Sequence, residues 1–242
     1  MKKNLLVLLC ILYASISFSQ DKEVAVVSFY TDKIIGFNDL GLGSEELIAE
    51  VANLRDNPDF NLTPILEKFH KAFFGEYAKK LPFTLLPESE VTTNKAYKEF
   101  TPKWDKSEEE LKRYLVYDGY KYIYEGFMGK ENEVGMARIF NTADGVLFVE
   151  IHFDLVKGFG IGGTATVKMK AYCRMALYNK KGEKVFAINE SAKSKKTAVM
   201  VGGIPAMSPK KILPMCESAM ERLMKHLDKK LKKIAKKAAK KL

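Results

Sequence analysis

Three potential metal ligands, Glu150, His152 and Asp154, stand at alternate positions of one apolar run, VLFVEIHFDL. Two carboxylates and an imidazole could hold a divalent transition metal and support metal-assisted hydrolysis centred on His152. The spacing argues otherwise, because alternate residues of a strand stand about 7 Å apart and point in parallel, so a site would need further ligands from elsewhere. Lys168, Lys170 and Arg174 fall on the matching face of the next segment, and cross-strand charge pairing accounts for the acids without a metal. Gly158-Phe159-Gly160-Ile161-Gly162-Gly163 has the composition of a phosphate loop, but it leads into a strand and lacks the GK[ST] ending. Gly41-Leu42-Gly43 does precede a helix, yet Glu45 and Glu46 would repel an anion there. No serine lies in a GxSxG elbow, and His70 and His226 sit on helical stretches without partners in sequence. The expectation is a protein with no catalytic residue, no metal and no cofactor.

These residues are positioned by one stretch, Gly145 to Lys196, which reads as the sheet. Val149, Ile151, Phe153 and Leu155 share one face and the acids and His152 the other, the period of two of a half-buried strand. The next segment repeats this, with Ala165, Val167, Met169, Ala171, Cys173, Met175 and Leu177 inward. Asn179 to Glu183 supplies a turn in which Gly182 can take positive φ, and the chain returns from Lys184 to Ile188 as a hairpin. A one-sided sheet needs helices on its apolar face.

The rest of the chain supplies them. Val24 to Phe29 is a β-branched and apolar run, the mark of a strand buried on both faces. A loop with Gly36, Gly41 and Gly43 leads to a short helix opened by Ser44-Glu45-Glu46 and ended by Asn57-Pro58. Thr63-Pro64 predicts an N-cap and first-turn proline for an aromatic-faced helix reaching Lys80. Pro82 to Pro87 reads as a short edge strand. A helical turn is expected at Asn94 to Phe100. Ser107 to Glu110 is a capping box for a helix carrying Leu111, Tyr114 and Leu115, Tyr120 to Tyr124 reads as a strand, and a helix is expected near Glu131 to Asn141. The last helix follows Ser208-Pro209, its regular part delayed by Pro214 to about Ile212 or later. Cys216, Met220, Leu223, Leu227, Leu231, Ile234 and Ala238 form its apolar stripe while the opposite face turns to lysine. Roughly 30 residues of helix would be about 45 Å long, more than a sheet of this size needs.

The amino terminus has the layout of a signal peptide: Lys2 and Lys3, an apolar run from Leu5 to Ile16, and Ser17-Phe18-Ser19 before Gln20. Cleavage before Gln20 and a periplasmic or secreted location are expected; the apolar run is shorter than the roughly 20 residues of a bilayer span. Cys10 lies inside the apolar run and does not form a lipobox. The organisation expected is a signal peptide at 1–19, a single α/β domain at 20–228 and a lysine-rich helical tail at 229–242. Without Lys2 and Lys3 the chain has 38 basic and 30 acidic residues, and eight lysines lie in the last fourteen positions, so 20–228 balances at zero. The basicity is a tail property, which argues against nucleic acid as a partner. Lys229, Lys230, Lys232, Lys233, Lys236, Lys237, Lys240 and Lys241 would meet an anionic membrane surface or an acidic partner, or simply keep a helix end soluble. Cys173 and Cys216 fit either a disulfide between sheet and helix or two buried thiols.

The order of signal peptide, VAVVSF strand, helix, LPFTLLP strand, helix ending at Asp144-Gly145, VLFVEIHFDL strand, long hairpin with a Gly182-Glu183 turn and closing helix resembles a bacterial envelope group. That group contains the curli-secretion lipoprotein, the lipoprotein activators of penicillin-binding proteins and the TolB amino-terminal domain. The resemblance covers most of residues 24–228 and implies a non-catalytic binding or assembly part of the envelope. The fold expected is therefore α/β (α+β): a mixed sheet with a long antiparallel hairpin, helices packed on one face, and a long C-terminal amphipathic helix. The function expected is binding of an envelope protein partner, the basic helix touching membrane or partner. The alternative is a periplasmic carrier of a small apolar ligand held between helices and sheet.

Overall fold

The computed structural model describes residues 22–40, 45–103, 107–126, 130–161, 164–201, 204–205 and 207–238. The expected signal peptide with its cleavage point at Gln20, together with Lys240 and Lys241, lies outside the described residues. Seven strands form one mixed sheet: β1 Glu23–Gly36, β2 Thr84–Leu85, β3 Tyr114–Val116, β4 Gly145–Ile161, β5 Thr164–Asn179, β6 Lys184–Val201 and β7 Ile204–Pro205. Their order is β2-β1-β4-β5-β6-β7, with β3 also on β1. β1 runs parallel to β2 and β4 and antiparallel to β3, while β4, β5, β6 and β7 pair antiparallel in sequence.

Among the described residues seven α-helices accompany the sheet: α1 Glu45–Asp56, α2 Thr63–Ala72, α3 Glu88–Thr92, α4 Lys95–Glu99, α5 Glu108–Leu111, α6 Glu131–Ile139 and α7 Pro209–Ala238. α2 and α7 cover the face that carries Val149, Phe153, Cys173 and Met175. Phe29 of β1 meets Phe69 and Phe73 at ring-centroid distances of 5.7 Å each. From α7 the stripe Ile212, Met215, Cys216, Ala219, Met220, Leu223, Leu227 and Leu231 is buried, the larger side chains each contributing on the order of 1.5–3 kcal/mol. The opposite face is divided. Near β1 it is roofed by α6 and by residues 120–126, so Val146, Phe148, Ala176 and Tyr178 are buried there as well; along the outer part of β4, β5 and β6 it is open.

Local departures from the expected elements have identifiable causes. β1 does not stop at Phe29 but continues to Gly36. Thr63 is the first helical residue of α2 and not its cap; the Asn61 Oδ1 accepts its N–H at 2.9 Å. The capping box at Ser107 and Glu110 forms, but its helix ends at Leu111 and Tyr114–Val116 becomes β3, because the free edge of β1 offers Tyr30 to Asp32 as partners. Tyr120 to Tyr124 is not a strand. Its backbone is held by side chains instead, with the Lys121 N–H donating to the Tyr97 hydroxyl at 2.9 Å and the Ser28 hydroxyl donating to the Lys121 carbonyl at 3.1 Å. α7 is regular from Pro209 straight through Pro214. In its second turn the proline forfeits one backbone bond, which the apolar stripe outweighs.

A candidate ligand cleft on the open half of the sheet

Between Thr31 and Ile35 the register of β1 against β4 shifts: Thr31 pairs with Ile151 and Ile35 with Phe153, so three residues of β1 lie opposite His152 alone. Such a bulge bends a strand away from its neighbour and commonly marks a site. Asp32 stabilises it, accepting the Ile34 N–H at 2.8 Å and the Arg113 Nε at 2.8 Å. Arg113 in turn accepts the Lys33 N–H on its carbonyl at 2.9 Å, tying β3 to the bulge.

The bulge opens into a cleft of about 320 Å³. One wall is aromatic: Tyr114 and Tyr122 stack at 4.0 Å, Tyr30 meets Tyr122 edge-on at 4.9 Å, and Tyr124 lines the rim. The other wall comes from β4 through Glu150, His152 and Asp154. Glu150 accepts the Tyr30 hydroxyl at 2.7 Å, and His152 stacks on Tyr172 of β5 at 4.5 Å. At the far end Asp154 presses against Gly36, where an added Cβ would lie 1.9 Å from its Oδ1; only glycine leaves this space.

The electrostatics follow from this packing. Burial, reinforced by Glu150, raises the Tyr30 hydroxyl well above its ordinary value, and burial followed by the hydrogen bond with Tyr114 raises Tyr122. Both stay neutral donors at physiological pH. Burial also pushes the Asp154 carboxyl up, with Asp39 adding to it and His152, Tyr172 and Lys170 pulling the other way. The cleft thus holds three carboxylates and one guanidinium, and that guanidinium is engaged by Asp32. A ligand with a positive group and a flat or apolar body suits such walls, through cation–π contact and charge.

The tyrosine wall is set by a second cluster. Glu125, 3% exposed, accepts the Arg174 Nε at 2.6 Å, a short bond from the Tyr178 hydroxyl, and Lys184 Nζ at 3.0 Å. It fastens residues 120–126 to the sheet and so places Tyr122 and Tyr124.

Glu150, His152 and Asp154 do share a face, and among the described residues no group of three or more His, Cys, Asp or Glu side chains is placed to hold a metal ion. Gly158 to Ile161 are not the connection expected but continue β4, with Gly160 paired to Ala165 and Ile161 to Thr164; Gly162 and Gly163 lie outside the described residues. Cys173 and Cys216 are both free and buried, and burial raises both thiols far above their ordinary value. His70 is a core residue, 2.6 Å from Glu88 and stacked on Tyr117 at 3.6 Å. Of the lysines, Lys229 is exposed and Lys230 grips Glu190 of β6 at 2.5 Å; Lys232, Lys233, Lys236 and Lys237 follow on α7. Because Leu231 is fully buried, packing on the body continues past residue 228. The space between helices and sheet is occupied by core side chains such as Phe69, Phe73, Val149, Phe153 and Leu223, none more than 1% exposed.

Sequence reasoning picked out Glu150, His152 and Asp154 but missed Tyr30, Asp32, Arg113, Tyr114, Tyr122 and Tyr124. Two signals were present: Asp32-Lys33 interrupting an otherwise apolar strand, and five tyrosines between Tyr114 and Tyr124.

No helix among the described residues is long and apolar enough to cross a membrane. No family model matches the chain, and no curated protein does. Among solved structures the chain is similar to a neuraminyllactose-binding hemagglutinin homolog from Helicobacter pylori, at 11% identity and a TM-score of 0.38, covering 90% of this chain and 89% of that one; the likeness carries nothing about a ligand.

Proposed function

We propose that this chain is an exported, non-catalytic binding module of a bacterial envelope that holds a basic segment of a protein partner in the tyrosine–carboxylate cleft. The supporting observation is the cleft itself: a bulged strand, a stacked tyrosine wall and an acidic wall on the half of the sheet that helices leave bare. Export rests on the signal-peptide pattern from Lys2 to Gln20. A lysine or arginine side chain would lie against Tyr114 or Tyr124 with its charge toward Glu150 and Asp154. The apolar carrier is the weaker reading, since the interlayer space is filled by core side chains.

Fluorescence anisotropy with a panel of short peptides, matched except for Lys, Arg or Glu at the centre, tests the proposal. The cationic peptides should bind, and Glu150→Gln should weaken them about tenfold, the loss of one modest charge-assisted contact. Equal binding of the acidic and basic peptides, or no response to Glu150→Gln, would reject it.

A further inference from the structure

Three large apolar side chains are exposed at the same end of the sheet, remote in sequence: Phe159 at 74%, Val199 at 52% and Ile204 at 40%. The strand register makes them neighbours. The Thr166 hydroxyl donates to the Phe159 carbonyl at 2.9 Å, Thr166 pairs with Val199, and Val201 pairs with Ile204. With strands about 4.8 Å apart, Phe159 and Val199 are separated by about two strand spacings on one continuous surface. Single exposed apolar residues are ordinary, whereas three gathered at one tip mark a contact surface.

The strand segments behind this tip carry lysines and no acid, while Glu217 and Glu221 of α7 lie on the helix that crosses Lys195 and Lys196. The sequence from 155 to 170 and from 191 to 208, within which the distal parts of β4, β5 and β6 and all of β7 fall, contains six lysines and no acid. Lys157, Lys195 and Lys196 are exposed, and Lys168 is half-buried. Lys170, further back, lies 3.9 Å from Asp39, and Lys196 is within electrostatic reach of Glu221 on α7. α1, which packs against β7, adds Ile48, 54% exposed, and the exposed acids Glu50 and Asp56. Exposed aromatic and aliphatic side chains backed by lysines are the chemistry of an interfacial contact: the apolar groups enter the headgroup layer and the cations face anionic lipid.

We infer that the distal tip of the sheet, led by Phe159, Val199 and Ile204 and backed by Lys157, Lys168, Lys195 and Lys196, docks on an anionic bilayer surface. This contact is separate from the lysine-rich end of α7. The helix runs antiparallel to β6, since Ser218 accepts the Lys195 N–H at 3.0 Å while Lys230 meets Glu190. Tip and tail therefore lie at opposite ends of the molecule and would present different faces to a membrane.

Co-sedimentation of the chain from Gln20 to Leu242 with phosphatidylglycerol and with phosphatidylcholine vesicles decides the matter. Four proteins are compared: wild type, Phe159→Ser with Val199→Ser, Lys195→Glu with Lys196→Glu, and a chain ending at Leu231. Urea melts matching wild type verify that the surface variants are folded. The wild type should bind phosphatidylglycerol vesicles and leave phosphatidylcholine unbound. The serine pair should weaken binding about tenfold and the glutamate pair roughly thirtyfold or more, as expected for two cations near an anionic surface. Added salt should weaken it further. The chain ending at Leu231 should bind as wild type does. No vesicle binding, binding lost only on tail truncation, or an apolar tip that instead mediates self-association in the absence of lipid would each overturn the inference.

Discussion

Glu125→Gln is the most exacting test of how the cleft is built. The substitution keeps the volume of a side chain that is 3% exposed and removes the charge that Arg174 and Lys184 share. In the folded protein burial pushes this carboxyl up, but the hydrogen bonds from Arg174, Tyr178 and Lys184 outweigh burial and hold it below the ordinary carboxylate range. Removing one partner of a buried ion pair costs about 3–5 kcal/mol. Here Arg174 and Lys184 are 26% and 38% exposed and can rehydrate, so about 2–3 kcal/mol is expected, roughly a 30- to 150-fold fall in the folded-to-unfolded ratio. For a domain of this size that is a drop of about 4–12 °C in Tm. Because the folded value is depressed, the stabilisation is present above the unfolded value of about 4.3 and is lost as pH falls through the folded value. Urea melts of the two proteins should thus differ at pH 7 and converge below about pH 4. A difference under about 0.5 kcal/mol at pH 7, or one that persists unchanged to about pH 3, would refute the account of Glu125 as a charged anchor. Loss of the anchor should also weaken peptide binding, since Tyr122 and Tyr124 ride on the same segment.

Gly182→Ala should destabilise by about 1–3 kcal/mol in urea melts, because φ is +72° and the new Cβ would lie 2.6 Å from the Val134 Cγ2. Asp154→Asn should do the opposite of Glu125→Gln. The carboxyl of Asp154 is raised by burial, so its contribution is present below the ordinary carboxylate range and lost as pH rises through the raised value; the asparagine variant should be more stable than wild type at pH 7, by less than about 1 kcal/mol, with the gap closing toward pH 3.

The long strands were legible because each buries one face: β4 beyond Phe148 and β5 up to Met175 alternate residue by residue, and the Gly182 turn has the chemistry its φ demands. α7 was legible from its stripe. What sequence pattern did not reveal depends on partners distant in the chain. Tyr114 to Val116 carries a helical spacing that loses to the open edge of β1, and Tyr120 to Tyr124 alternates like a strand yet is fixed by Ser28 and Tyr97. The acidic wall of the cleft could be read from one strand, whereas the aromatic wall and the bulge could not. They arise only when β1, β3, β4 and residues 120–126 meet, and no local spacing encodes that meeting.

The C-terminal helix also governs when the molecule can fold at all. Ser218 and Arg222 clasp the backbone of β6 at Lys195 and Lys193, and the apolar underside of β5 and β6 stays wet until α7 has been synthesised and has docked. The opening strand must likewise wait for β4, more than a hundred positions later, to find its parallel neighbour. Contacts so distant along the chain favour slow folding over rapid local assembly. A chain of this design stays open along its sheet until α7 has docked on β5 and β6.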